Sequence, residues 1–323
     1  MSKPLISIVL PLFNEESNVE HCISALVSCC KELDEEFEFV CIDDGSSDNT
    51  ARIVDDKAAE CSSDTTIHLL KLSRNFGKEA AIVAGLEAAR GAAVIVMDAD
   101  MQHPPDIVPQ MVARWRQGAH VVSAVKEDRG QEGFLHGILA GLFNTFMTQA
   151  IGCDMTGASD FKLLDRQVVD ALLHCPEKTR FFRGLVAWVG FREEKLPFKV
   201  AERYAGTSKW SLWGLVRYFK NNVLAFSSLP LKLIAYIGFL TIIFGFALGL
   251  NSLQQYFRGV AISGFTTVIL LQVILFGVLQ TSVGIIAFYI ATIYEELKGR
   301  PTYIVCRPTA EPTKNEKDEG AQT

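Results

Sequence analysis

The sequence predicts an α/β domain on a mostly parallel sheet with helices on both faces, followed by an amphipathic helix and two membrane-crossing helices. Two observations carry this. Through the first half of the chain, apolar strand-like runs alternate with stretches of helical periodicity, the pattern of a parallel sheet covered on both sides. Later come two stretches without a charged side chain, 25 residues over Leu233–Phe257 and 36 over Gly259–Tyr294. About 20 apolar residues cross a bilayer, so each holds one span, placed at 233–253 and 267–291. Neither shows a polar stripe, which disfavours a buried soluble hairpin.

The strands come in order. Leu5–Leu10 reads as a buried strand ended by Pro11 and followed by Asn14-Glu15-Glu16. Glu38–Ile42 ends in Asp43-Asp44-Gly45-Ser46-Ser47-Asp48, where Gly45 permits a tight turn and Ser47 or Asp48 can cap the next helix. Ile67–Leu72 runs into Ser73-Arg74-Asn75-Phe76-Gly77-Lys78-Glu79, and Ala80–Ala89 is the clearest helix. Ala92–Met97 closes on Asp98-Ala99-Asp100. Strand side chains alternate, so the two carboxylates of that triplet project to one side. Two oxygen ligands at a strand's carboxyl end suit a hard cation and leave room for a diphosphate. A lone D-x-D serves equally as a solvated turn; its neighbours decide. Consecutive strands end in polar, carboxylate-bearing turns, where parallel sheets bind ligands, so a nucleotide site is expected.

Two familiar nucleotide folds are disfavoured. The first strand–helix turn carries Pro-Leu-Phe-Asn-Glu in place of G-x-G-x-x-G. Gly77-Lys78 is followed by Glu79 and lacks the upstream glycine of a P-loop.

The series PLFNEE, DDGSSDNT, LSRNFGKEAA, DADMQHPP, ASDFKLLDR and ERYAGTSKW, in order over residues 5–232, resembles the polyprenyl-phosphate glycosyltransferases. These are inverting family 2 enzymes with a GT-A catalytic domain. RNFGKE and Trp188-Val189-Gly190 lean towards the bactoprenol glucosyltransferase branch. The resemblance implies transfer of one sugar from a UDP-sugar, glucose in that branch, to undecaprenyl phosphate. Mannose, galactose, N-acetylglucosamine and aminoarabinose remain alternatives. It implies base and ribose contacts at Pro11, Asn14, Glu15, Asp43, Asp44 and Ser46, and a donor-side role for Gln102. Mg²⁺ or Mn²⁺ would be held by Asp98 and Asp100, with Asp100 the direct ligand and Asp98 touching ribose or the metal through water. His103 is expected behind the metal ligands. Arg74 and Lys78 either contact phosphate or uracil or serve as solubilising charges.

Asp160 matches the family's catalytic base. The acceptor is a phosphate monoester with a second pKa near 6, so at neutral pH it has little need of one. Asp160 then orients a sugar hydroxyl or an arginine, or takes the proton of the monoanion. Arg203, Gly206, Ser208 and Lys209 match the family's R-x-x-G-x-S-K pattern, expected to bind the lipid phosphate. Lys126, Arg129, Arg180 and Arg183 are further acceptor candidates, although relatives carry arginine where Lys126 stands, and lysine lacks its bidentate fork.

The division expected is 1–208 catalytic, 209–230 juxtamembrane, 231–295 spanning and 296–323 a partly disordered tail. Residues 210–220 mix aromatic, aliphatic and basic side chains, as in a helix lying among headgroups. Gly245 and Gly249 either pack helices in lipid or are incidental. Lys209, Arg217, Lys220 and Lys232 precede the first span and Lys298, Arg300 and Arg307 follow the second, whereas the connecting loop has only Arg258. The positive-inside rule therefore places both termini and the catalytic domain in the cytoplasm, on the inner membrane. No signal peptide is read at the amino terminus. The eight cysteines lack a C-x-x-C pair and read as reduced packing residues. A net charge of −6 does not oppose lipid-phosphate binding, because the basic residues gather towards the membrane. The partners expected are the UDP-sugar, the polyprenyl phosphate, membrane lipids and, by resemblance, sister copies in a tetramer; nucleic acid is not among them. A processive polysaccharide synthase would carry Q-x-x-R-W late in the domain, and only Gln110…Arg114-Trp115, wrongly spaced and early, comes near. An inactive nucleotide-binding scaffold would have lost a site residue, and none is evidently lost.

Overall fold

The computed structural model describes residues 5–60, 65–126, 159–175, 177, 180–198, 229–259 and 264–306. Strands β1 (Leu5–Leu12), β2 (Glu36–Asp43), β3 (Thr65–Lys71), β4 (Ala93–Val96), β5 (Val121–Lys126), β6 (Lys162–Asp165) and β7 (Glu193–Phe198) form one sheet in the order β3-β2-β1-β4-β6-β5-β7. All run one way except β6, which is antiparallel to both β4 and β5. The mostly parallel α/β class read from the sequence is the one observed.

Alternation along the strands sorts the core into two layers. Ile6, Ile8 and Leu10 of β1 face α1 (Val19–Cys30), α2 (Thr50–Glu60) and α4 (Val108–Arg116). Val9, with Val40, Ile42, Val94 and Val96, faces α3 (Lys78–Ala88), α5 (Arg166–His174) and α6 (Phe182–Trp188). Small residues bring α3 close: a Cβ on Gly85 would lie 2.2 Å from Val9 Cγ1.

The reversed β6 positions the site. Its register pairs Val96 with Lys162 and Ala93 with Asp165. The residues just before β6 therefore arrive at the carboxyl end of β4, where Asp98 leaves it. The latter half of ASDFKLLDR serves the fold instead. Asp165 caps α5 by accepting from the Gln167 amide at 3.0 Å, and Arg166 donates to the carbonyls of Ala89 and Gly91, each at 2.9 Å. Edge strand β7 was not anticipated: Glu-Glu-Lys-Leu-Pro-Phe lacks an apolar run, and its proline is tolerated because it lies at the sheet's edge.

Helices α7 (Leu229–Phe257, 29 residues) and α8 (Phe265–Leu297, 33 residues) are long and apolar enough to cross a membrane. Both extend past the expected spans of 233–253 and 267–291, because helical structure continues into polar flanks such as Glu295 and Glu296. Their apolar side chains are bare, Ile242 at 71% exposure and Phe246 at 68%, a surface suited to lipid. Of the juxtamembrane helix expected at 209–230, residues 209–228 lie outside the described residues. Each described cysteine is a free thiol.

Candidate active site

Four loops meet at the carboxyl ends of β1, β2, β3 and β4, and hydrogen bonds between loops hold them in register. Asn14 lies in the left-handed region at φ 53°, a conformation asparagine accepts more readily than most residues. Its amide donates to Ser46 Oγ at 2.9 Å, and its side-chain oxygen accepts from the Ser47 amide at 2.8 Å. The Glu15 amide donates to Thr50 Oγ1 at 2.8 Å, and Asp43 accepts from the Ser46 amide at 3.0 Å. Gly45, at φ 70°, lets the second loop press on the third, since a Cβ there would lie 2.6 Å from the carbonyl carbon of Arg74. Both oxygens of buried Asp44 accept backbone amides of the third loop, Phe76 at 2.7 Å and Gly77 at 2.8 Å. Burial still raises the Asp44 carboxyl above its ordinary value, with the two amides opposing.

Where the third loop opens into α3, Lys78 bridges two carboxylates. Its Nζ lies 2.6 Å from Asp98 Oδ1 and 2.6 Å from Asp160 Oδ2. Arg183, on α6, clamps the same Asp160 with two parallel bonds, Nε to Oδ1 at 2.6 Å and Nη2 to Oδ2 at 2.9 Å. Such bidentate pairs are among the strongest polar contacts in proteins. The Asp160 side chain is only 8% exposed. Burial would raise its carboxyl, yet Lys78 and Arg183 outweigh burial and hold it well below the usual carboxylate range. Burial likewise opposes the charge on Lys78, but Asp98 and Asp160 prevail and keep it cationic. Beside them, Glu79 accepts the Phe182 amide at 2.8 Å and so ties α3 to the start of α6. Burial and the charge of Asp160 push Glu79 up to about 7.

The Asp98-Ala99-Asp100 turn is braced from behind. The Asp98 amide donates to His103 Nδ1 at 3.4 Å, and the buried His103 ring stacks on Phe161 with centroids 5.0 Å apart. Burial lowers the His103 pKa, so the neutral ring accepts this bond and supports the turn, as expected for a residue behind the ligands. Asp100 Oδ1 accepts the Gln102 amide at 3.1 Å. Among the described residues, no group of three or more His, Cys, Asp or Glu is placed to hold a metal. A pair of aspartates nevertheless fits Mg²⁺ or Mn²⁺, which accept one or two carboxylates and take their other ligands from phosphate and water. Lys78 already occupies both Asp98 oxygens, which favours Asp100 as the direct ligand.

Residues 7–172 match the glycosyl transferase family 2 model. The protein belongs to glycosyl transferase family 2. Similar proteins include an uncharacterized glycosyltransferase of Synechocystis, 37% identical over 93% of this chain and 94% of its own length. The putative glycosyltransferase CsbB of Bacillus subtilis is 38% identical, covering 94% and 92% of the two chains. The prophage-derived bactoprenol glucosyl transferase of Shigella flexneri is 34% identical over 93% and 97%. Among solved structures, glucosyl-3-phosphoglycerate synthase of Mycobacterium tuberculosis aligns over 68% of this chain and 76% of its own, at a TM-score of 0.47 and 21% identity.

In this family 2 glycosyl transferase, the expected donor residues Pro11, Asn14, Glu15, Asp43, Asp44, Ser46, Arg74, Lys78, Asp98 and Gln102 come from the four converging loops. Asp160 and Arg183 join them through Lys78. Arg74 stacks over the Phe76 ring at 4.2 Å, outside the ion network. Arg180 donates to the carbonyls of Glu177 at 3.0 Å and Cys175 at 2.8 Å and braces the approach to α6. Lys126 ends β5, with its side chain outside the described ones, and Arg129, Arg203, Ser208 and Lys209 lie outside the described residues. Sequence reasoning passed over Glu79 and Lys162. The latter is buried in β6, where it donates to Ser123 Oγ and lies 3.4 Å from Glu193. Strand β6 begins only at Lys162, so strand alternation from Asp160 does not reach it, and a lone lysine in the apolar run Phe161–Leu164 is the one signal that could have found it.

Proposed function

We propose that this enzyme transfers one glucose, with inversion, from UDP-glucose to polyprenyl phosphate at the cytoplasmic face of the inner membrane. The observation that carries the reading is the Asp98–Lys78–Asp160–Arg183 network at the junction of the four loops. It sets two fixed cations beside the carboxylate pair, in a site built for a diphosphate leaving group and a phosphate nucleophile. The names of the Shigella relatives support bactoprenol as acceptor and glucose as the sugar.

In this reading the first two loops hold uridine and Asp100 carries the metal, which when bound neutralises charge developing on the departing UDP. An acceptor phosphate oxygen attacks the anomeric carbon from the face opposite the diphosphate. The new C–O bond forms as the bond to UDP breaks, the pair of electrons leaves with UDP, and the configuration inverts. Arg183 and Lys78 orient the two anions. Asp160, held ionised by both, keeps those cations in place and is a poor proton acceptor at neutral pH. Lys126, Arg129, Arg203, Ser208 and Lys209 belong to the acceptor side of this reading.

Residues 1–208 form the catalytic unit, 209–230 lie among headgroups, α7 and α8 span the bilayer and residues 296–323 return to the cytoplasm. The assembly is a tetramer, tested by its mass in detergent. Radiolabelled UDP-sugars and a short-chain polyprenyl phosphate test the chemistry. The expected product is a single-sugar lipid, formed from UDP-glucose in preference to other donors, and lost on chelation or in Asp100→Ala. Polymer, no lipid product, or full activity under chelation would each defeat it.

A further inference from the structure

We propose that the segment Tyr303–Cys306, just beyond α8, is a positioning strap that fixes the third loop and so sets affinity for the nucleotide donor. This rests on the reading that Lys78, where the third loop opens into α3, orients the donor's diphosphate.

The segment pairs with the carboxyl end of edge strand β3 and the two residues that follow it. Val305 bridges Leu72 in antiparallel fashion. The Cys306 amide donates to the Lys71 carbonyl at 2.7 Å, and the Ser73 amide donates to the Ile304 carbonyl at 2.9 Å. These bonds fall where β3 ends and the loop bearing Arg74 begins. The strap also grips the helix that follows. Tyr303 packs against the core beneath α3, and its hydroxyl donates to Glu87 on α3 at 2.6 Å. The chain from Ser73 to Glu87, Lys78 included, is thus pinned near both ends by one short segment. Only Lys298–Thr302 separate that segment from α8, so the membrane anchor and the donor loop are mechanically joined.

The physical consequence is preorganisation. Ordering a loop costs backbone entropy, and a loop held in its binding geometry beforehand spares the ligand that cost. A segment serving only to cover the sheet edge would change stability and leave nucleotide affinity alone.

Three full-length variants in detergent or nanodiscs separate these roles. Cys306→Pro deletes the amide donor to Lys71, Cys306→Ala keeps it, and Tyr303→Phe deletes the hydroxyl that reaches Glu87. Cys306→Pro is expected to weaken UDP binding, and raise the donor KM, by about fivefold or more, the worth of one ordinary hydrogen bond. Tyr303→Phe shifts both the same way, by about threefold. Turnover at saturating donor stays within about twofold in each, and Cys306→Ala matches wild type. Unchanged UDP affinity in Cys306→Pro overturns the strap, as does a fall in turnover without a change in affinity. Should that variant fail to fold, Tyr303→Phe decides alone by the same criterion. Wild-type protein that does not bind UDP would overturn the donor reading beneath it, and the strap with it.

Discussion

For Asp160 to work as a general base, its pKa would have to lie near the working pH, yet two cations hold it well below the carboxylate range. The acceptor supplies its own dianion above a second pKa near 6, so the proton that matters belongs to the substrate. Asp160→Asn removes the charge that holds Lys78 and Arg183 together. Turnover is therefore expected to fall about 100-fold or more, as when a preorganised electrostatic partner is lost. The rise in kcat/KM for the acceptor through about pH 6 should survive in the variant, since it reports the acceptor's own ionisation. A profile from which that inflection vanishes would make Asp160 a base after all. Glu79 offers a second pH test. Its carboxyl stands at about 7 in the folded protein, above its ordinary value. A raised carboxyl stabilises the fold fully below the unfolded pKa, about 4.3, and that contribution is lost as pH rises through the folded value. Glu79→Gln can still accept the Phe182 amide without the charge. The wild-type Tm should drop more steeply than the variant's between about pH 5 and about pH 8, and parallel curves would refute the shift. Little of this coupling was legible beforehand. Asp98 and Asp100 declare themselves as a pair of carboxylates closing an apolar run, although the strand ends at Val96 and both stand in the turn beyond it, whereas Lys78 and Asp160 stand 82 positions apart.

At the scale of elements, the parallel half of the sheet was legible because its strands are buried on both faces and read as unbroken apolar runs. The reversal of β6 was not, since Phe161–Leu164 looks the same in either direction. That reversal is what delivers Asp160 to Asp98, so the site's central contact depended on a feature that apolar pattern does not encode. Helix α3 shows the opposite case. Its run of alanines with one glycine reads as a good helix, and the structure adds that smallness lets it lie against β1. Val9 is fully buried and a Cβ on Gly85 would lie 2.2 Å from its methyl, so Gly85→Ala should destabilise by about 1–3 kcal/mol through overpacking. Because α3 starts at Lys78, the donor KM should rise as well. Denaturant unfolding checks the first effect, and Val9→Ala in the same chain should restore part of it. A single Gly85→Ala as stable as wild type would show that α3 can shift outward freely.

For the whole molecule, the distribution of basic residues argued that the catalytic unit and both ends of the hairpin share one side of the membrane. The contact between residues 303–306 and the catalytic sheet supports the same arrangement by an independent route. Five residues, Lys298–Thr302, join α8 to that contact, and fully extended they reach at most about 18 Å, too short to cross a hydrocarbon layer of about 30 Å. In the proposed arrangement, with α7 and α8 crossing the bilayer, the carboxyl end of α8 emerges on the side of the catalytic domain, and α7 brings the chain out to the far side and the loop at Arg258. The expectation is specific. In intact cells, a membrane-impermeant maleimide should label Arg258→Cys and leave the exposed Cys306 and a Ser73→Cys untouched, and permeabilisation should expose all three. Labelling Cys306 from outside while Ser73→Cys stays protected would break the link between strap and sheet. Labelling all three from outside would turn the enzyme over, against the charge rule. Protection of Arg258→Cys in intact cells would mean that the hairpin does not reach the far surface.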